Sequence, residues 1–482
     1  MSKITDIDLG GWEMVIGLEV HAQVLSASKL FSGASASFGG EPNDHVSIVD
    51  AAMPGMLPVL NEAALYHAVR AGLALNAKIN TYSAFARKNY FYADLPQGYQ
   101  ISQFDHPIVG EGAIDITLDD GSIRSIGIER LHLEQDAGKS LHDQHPQFSY
   151  IDLNRSGVPL MEIVSRPDIR SSFEATAYVR KIANILEYIG ACDVNMSQGS
   201  LRADVNISLR RPGDELGTRT EIKNLNSLKG IRQAIEAEAW RQKSLLEAGE
   251  SIQQETRLFD PVKMETRSLR SKEDAHDYRY FPDPDLLPVT ITEDWIAKIK
   301  SELPELPDQK IARFQKDFGL SAYDADVLVA DQTTAHYFET VCATITPKIA
   351  VNWVMVELFG RLNKADLSIK DSPVSAEGLA ELLGLLEKNT ISGRVAKDVL
   401  DTMFSTGKTA SEIVQEQGLE QVSDTGAIEA IIDQIITENP DQVQKYRDGN
   451  ERLLGWFVGQ TMKQSGGKAN PGMVNKLLKQ KL

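Results

Sequence analysis

An α+β fold is predicted for this chain of 482 residues, with a sheet-rich first part and a helical remainder. Three observations carry that prediction. Residues 1–290 are built from short stretches that alternate apolar and polar side chains, broken by Gly and Pro turns. Residues 294–482 instead read as mostly helical. Between them lie Pro282-Asp283-Pro284-Asp285 and Leu303-Pro304-Glu305-Leu306-Pro307, whose prolines continue neither a helix nor a central strand. A length of this order suggests about three domains.

Composition narrows the class. With 42% hydrophobic and 24% charged residues the chain has the make-up of a soluble globular protein. Its 50 basic and 68 acidic residues leave a formal charge of −18, which argues against a general nucleic-acid coat protein but leaves room for a local basic patch. Two distant cysteines, Cys192 and Cys342, build no disulfide framework and suit a reducing compartment. The N-terminus lacks a signal-peptide layout and no apolar run is long enough to cross a bilayer, so a cytoplasmic protein without membrane contact is expected.

Taken in order, Met14–Val24 is the first strand. Leu18, Val20, Ala22 and Val24 point one way, and Glu19, His21 and Gln23 the other. Helical spacing follows at Ala63–Leu75. In Arg130–Asp136, Arg130, His132, Glu134 and Asp136 share a face opposite Leu131 and Leu133. Glu162 interrupts the apolar stretch Val158–Val164, where an unpaired carboxylate would be costly to bury and needs a cation or a donor. A helix from Ser172, its expected cap, to Ile189 ends at Gly190, and another from Ser227 to Ala248 ends at Gly249. Between them, Leu201–Arg210 alternates an apolar set with Arg202, Asp204, Asn206, Ser208 and Arg210.

Should these strands share one sheet, Glu19, His21, Glu134, Glu162 and Asp204 converge on one surface. Two readings fit that arrangement: a solvated salt-bridge network, or an oxygen-rich site for Mg²⁺ and a nucleotide. Under the second reading, Arg87-Lys88, Lys139 and Arg202 are phosphate contacts. Gly138-Lys139-Ser140 is not a phosphate-binding loop, because Leu133 stands where its first glycine is required. The glycines at 33, 39 and 40 lack dinucleotide spacing, and no Gly-x-Ser-x-Gly nucleophile motif occurs.

Several long strings go further. They are I-G-L-E-V-H (16–21), R-K-N-Y-F-Y (87–92), L-P-Q-G-Y-Q-I-S-Q (95–103), L-H-L-E-Q-D-A-G-K-S (131–140) and N-R-S-G-V-P-L-M-E-I-V-S-R-P-D (154–168). G-S-L-R-A-D-V-N-I-S (199–208), E-I-K-N-L-N-S (221–227), H-D-Y-R-Y-F-P-D-P-D-L (276–286) and G-Q-T-M-K-Q-S-G-G-K-A-N-P (459–471) continue the set. Together they resemble the B subunit of the aspartyl/glutamyl-tRNA(Asn/Gln) amidotransferases over essentially the whole chain.

The resemblance implies an antiparallel-sheet cradle domain (1–293), a helical domain (294–410) and a small helical tail domain (411–482) that contacts tRNA. It implies an ATP- and Mg²⁺-dependent ligase that phosphorylates the side-chain carboxylate of Glu or Asp mischarged on tRNA. Ammonia released by the amidase, the A subunit, then displaces the phosphate. A small third partner, the C subunit, makes the enzyme a heterotrimer. Glu19, His21, Glu134 and Glu162 are the implied catalytic and metal-binding set, with Lys88, Arg202 and Asp204 beside ATP. Other members carry a C-x-C…C-x-x-C zinc site, but here its positions read Ser32, Ala34, Ser47 and Asp50, so no zinc is expected. Gln135 and Arg166 replace frequent acidic residues and are expected to lie just outside the site. Lys463, Lys468, Lys476, Lys479 and Lys481, with no acidic residue from 463 to 482, suit a tRNA backbone contact in which Gly466-Gly467-Lys468 forms a turn. The alternatives are a stand-alone carboxylate–amine ligase and a non-enzymatic RNA-binding scaffold. Which of the two mischarged tRNAs is the substrate is not encoded in any motif found.

Overall fold

The alternation that begins at Glu13 builds the centre of an eight-stranded sheet. The computed structural model describes residues 7–118, 120–270, 278–419, 425–465 and 469–482. Across the sheet the strands run Glu265–Arg270, Thr256–Asp260, Thr220–Leu225, Leu201–Arg210, Glu13–Gln23, Pro159–Ser165, Ile123–Gln135 and Gly112–Thr117. Neighbours are antiparallel except Thr220–Leu225 with Thr256–Asp260. That parallel pair follows from its connection, because the helix Leu228–Glu247 provides the long crossover that parallel strands need. The expected antiparallel sheet is therefore mixed at this one junction.

One sheet face is apolar and covered. Leu18, Val20 and Ala22 stand beside Val205, Ala203 and Leu201 in register and are all buried. Onto this face pack the helices Ser172–Tyr188 and Leu228–Glu247, while Glu62–Ala74 packs on the long strand Ile123–Gln135. Their starts are set by side-chain caps that satisfy otherwise orphaned backbone donors: Asn61, Ser171 and Ser227. The cap of the second helix is thus Ser171, one residue before the expected Ser172, because it is Ser171 that keeps extended geometry and accepts from the Glu174 N–H.

Glu238 joins the crossover helix to the sheet. Its buried carboxylate accepts from Thr220 Oγ1 at 2.8 Å, Thr266 Oγ1 at 2.6 Å, and Arg241 Nη2 at 2.6 Å. Burial pushes its pKa up, but Arg241 and Thr266 outweigh this and hold it below the ordinary carboxylate value.

By residue contacts the chain divides into Met1–Pro307 and Asp308–Leu482. The second unit is helical in all its described elements. Phe314, Phe318 and Phe338 pack ring against ring, and Tyr337 donates to the carbonyls of Val374 and Ser375. The helix Ala410–Gln417 packs on Ala376–Glu387 and Gly393–Thr406, so residue 411 lies inside a helix of this group. The helices from Thr425 onward share their own core, around Ile428, Ile432, Phe457, Val474 and Leu478. The turn expected at 466–468 lies outside the described residues. No helix among the described residues is long and apolar enough to cross a membrane.

Because the Glu238 pKa is depressed by folding, its stabilisation is present above the ordinary carboxylate pKa and is lost as pH falls through and below it. Urea unfolding of the wild type should therefore lose stability between about pH 5 and about pH 3 more steeply than unfolding of Glu238→Gln.

Candidate active site

The opposite sheet face carries the ionisable residues, and strand register decides which of them meet. His21 stands opposite Glu162 on one neighbouring strand and Arg202 on the other, and His132 stands opposite Glu162 from the far side. His21 Nε2 lies 3.2 Å from Glu162 Oε2, and His132 Nε2 lies 3.6 Å from both Glu162 and Glu134. Ligand atoms of His21, Glu134 and Glu162 all fall within 4.8 Å of one another. Only 8%, 3% and 7% of these residues is exposed. Ser102 Oγ donates to Glu134 at 3.1 Å.

Glu19 belongs to an adjoining group. Its carboxylate gathers with Asp204 and Glu221, again with ligand atoms within 4.8 Å. Strand register sets this: Glu221 pairs with Asn206, and a bulge between the Val205–Ile222 and Ala203–Leu225 pairs lets Lys223 and Asn224 together oppose Asp204. Asn224 takes a left-handed conformation, φ +59°, and its N–H donates to Asp204 at 2.8 Å. Lys223 Nζ sits 3.2 Å from Asp204 and 2.8 Å from Glu221.

The electrostatics of the two groups differ. In the first, burial penalises the Glu162 carboxylate, but His132, His21 and Lys88 hold its pKa well below the usual value. His21 is raised to about 9, since the hydrogen bond and charge of Glu162 overcome the opposing effect of burial. In the second, burial and the charges of Glu162, Glu221 and Asp204 all raise the pKa of Glu19. Like charges thus crowd there beyond what Lys223 neutralises.

Lys88 approaches from a separate small sheet, on the strand Ala86–Asn89. Its Nζ lies 5.1 Å from the Tyr278 ring centre and 5.8 Å from that of Tyr90. Burial lowers its pKa, but Glu134, Tyr280 and Glu162 raise it above the ordinary lysine value, so the ammonium stays charged. Arg202 is committed to Asp136, at 3.0 Å, with Gln23 donating to the same carboxylate at 2.8 Å. Despite burial, Arg202 and Arg155 hold Asp136 down to about 2. Lys139 is exposed on a separate hairpin.

Of the residues expected from sequence, the structure gathers His21, Glu134 and Glu162 in one group and Glu19 with Asp204 in the other. His132, Glu221, Lys223 and Asp136 complete the wall. His132 was legible from the alternation that marked Glu134, whereas the meeting of Glu221 and Lys223 with Asp204 depends on which strands pair. Gln135 and Arg166 serve elsewhere: Gln135 Oε1 accepts from the Ile101 N–H at 3.1 Å, and Arg166 pairs with Glu111 at 2.6 Å.

The loop that lacks the thiolates is held ionically. Asp50 accepts from Ser32 Oγ at 3.0 Å and the Ser47 N–H at 2.8 Å, and pairs with the fully buried Lys29 at 3.4 Å. Lys29 also donates to the Leu153 carbonyl at 3.2 Å. Gly157, at φ +80°, passes so close that an added Cβ would lie 2.7 Å from Asp50 Oδ1. Two serines and a carboxylate already engaged by an ammonium do not fit a tetrahedral thiolate zinc centre.

Comparison with known proteins identifies the family of the chain. Residues 14–297 match the family model described as the GatB/GatE catalytic domain, and residues 336–482 match the GatB domain. The aspartyl/glutamyl-tRNA(Asn/Gln) amidotransferase B subunit of Methylorubrum populi is 64% identical over 480 residues, covering 100% of this chain and 98% of the relative. The protein of the same description from Granulibacter bethesdensis is 62% identical over 482 residues, covering 100% of each. The one from Gluconobacter oxydans is 60% identical over 474 residues, covering 98% of each. The chain belongs to this B-subunit family. The catalytic-domain match of this amidotransferase component encloses both acidic groups, Lys88 and the Lys29–Asp50 loop.

Removing one partner of a buried ion pair leaves the other charge uncompensated. Asp50→Asn should lower unfolding stability by about 3–5 kcal/mol, measured by denaturant titration.

Proposed function

We propose that this chain carries the ATP-using step of a tRNA-dependent amidotransferase. Its substrate is the side-chain carboxylate of Glu or Asp mischarged on tRNA. A carboxylate oxygen takes the γ-phosphoryl group and ADP leaves. Ammonia then attacks the acyl carbon and phosphate departs, giving Gln-tRNA or Asn-tRNA. The observation that carries this reading is the convergence of two acidic groups and one charged lysine on a single sheet face.

The residues suit divalent cations. His21, Glu134 and Glu162 would hold one and Glu19, Asp204 and Glu221 another, both oxygen-rich enough for Mg²⁺. The repulsion at Glu19 and the buried Nδ1 atoms of His21 and His132, which have no hydrogen-bond partner among the described residues, favour this over a plain salt-bridge network. Such a cation supplies charge screening for phosphates and for the developing acyl phosphate. Lys88 adds a fixed positive charge beside the first group, where a transferring phosphoryl group is best stabilised. Lys223 offsets part of the acidity of the second, and the Arg202–Asp136 pair closes the wall.

No nucleophile motif for releasing ammonia occurs in the sequence, which supports a heterotrimeric enzyme. Its other members are the amidase (the A subunit) and the small C subunit, and it works in the cytoplasm without zinc. The helices from Thr425 onward are the proposed tRNA contact. Lys463, Lys476 and Lys479 are exposed there, whereas Lys481 is paired with Asp433 at 2.7 Å. Activity on each mischarged tRNA decides the substrate.

Two outcomes are expected. Glu162→Gln in the assembled enzyme should cut ADP release with mischarged tRNA by more than about 100-fold while leaving tRNA affinity unchanged, as removing transition-state electrostatics does. Replacing Lys463, Lys476 and Lys479 by Ala should weaken tRNA binding. It should also reduce the slope of log K against log salt by about 1 for each lysine that neutralises a phosphate.

A further inference from the structure

Lys88 and Arg87 are neighbours on one strand, so their side chains leave opposite faces. Lys88 faces Glu134 and Glu162, and Arg87 turns to the segment that walls the lysine in. The Arg87 guanidinium lies over the Tyr99 ring, 4.3 Å from its centre. It forks to two carboxylates, Nε to Asp283 and Nη2 to Asp285, each at 2.8 Å. The Asp283 side chain is wholly buried, and its other oxygen accepts from the Asp285 N–H at 2.8 Å. Asp283 N–H in turn donates to the Phe85 carbonyl at 3.0 Å.

The same segment is held at its other end. Asn89 N–H donates to the Tyr278 carbonyl at 2.9 Å, and Asn89 Nδ2 donates to the Arg279 carbonyl at 2.8 Å. Arg279 is kept there at φ +44°, a conformation that a non-glycine residue adopts only under constraint. Between the two clamps stand Tyr278, whose ring faces Lys88, and Tyr280, stacked on Phe104 with ring centres 4.2 Å apart. Covalent neighbours of Lys88 thus grip both ends of the strip that covers it.

We propose that Arg87 and Asp283, supported by Asn89, are positioning residues for phosphoryl transfer: they clamp residues 278–285 as an aromatic wall that fixes the Lys88 ammonium beside Glu134 and Glu162. This rests on the reading that Lys88 lines the ATP pocket. Losing the clamp frees the ammonium to wander by an ångström or so without removing a group that touches ATP. The damage therefore falls on turnover and spares tRNA binding.

The test uses the assembled enzyme carrying Arg87→Lys, Asp283→Asn, Lys88→Met, or Arg87→Lys together with Lys88→Met. A lysine at 87 keeps one charge but lacks the fork that bridges both carboxylates. It also serves as the variant of record should Asp283→Asn not fold. Expected are a fall in kcat for ADP release of about 10- to 100-fold and a mischarged-tRNA Kd within about two-fold of wild type. In the Lys88→Met background, Arg87→Lys should cost little more, because both changes act through one ammonium. Wild-type kcat in Arg87→Lys, or a full additional loss on top of Lys88→Met, overturns the clamp. Full transfer by Lys88→Met alone overturns the pocket reading itself, which separates the two failures.

Discussion

Everything at the candidate site depends on strand register around His21. A side-chain period of two places one face of Glu13–Gln23 in the core and the other among charges, so a slip of one residue would exchange them. The apolar face fixes the register, since Leu18, Val20 and Ala22 are all buried beneath two helices. The helices thereby set, through the sheet, the 3.2 Å contact of His21 with Glu162 on the other side. Hydrophobic burial orders the electrostatics.

Burying so many ionisable groups requires that each be answered. Glu162 is answered by two imidazoles and a lysine, Asp136 by Arg202, Asp204 by Lys223 and a backbone N–H, and Glu238 by Arg241 and two threonines. Glu19 is the exception, since Asn206 at 3.0 Å gives it only a neutral donor. The proposed cation site is where that crowding would be relieved. The same rule operates away from the site, where Lys29 and Asp50 neutralise each other in a loop without thiolates.

Much of the site was legible in advance. Alternation marked the polar faces of Glu19, His21, Glu134 and Asp204, and Glu162 stood out as a carboxylate in an apolar stretch, because both are local properties that residue types reveal. The Gly-terminated helices were equally local, and Ser171 displaced Ser172 as a cap only by a single residue of backbone geometry. Arg202 illustrates the opposite case. It pairs with Asp136, which follows the strand three positions away in the sheet, and no local pattern encodes that pairing.

By itself the sequence determined the α+β division, the polar face of each strand, the loss of the zinc ligands and, through its long shared strings, the family. Tertiary structure decided the rest. It separated the acidic residues into two groups, because strand pairing sets Glu221 opposite Asn206, where it meets Asp204 and Glu19. It also brought Lys88, from another sheet, beside Glu134 and Glu162, under rings nearly two hundred residues further along the chain. Such distances in space are set by the packing of whole elements, and side-chain periodicity within one element carries no record of them.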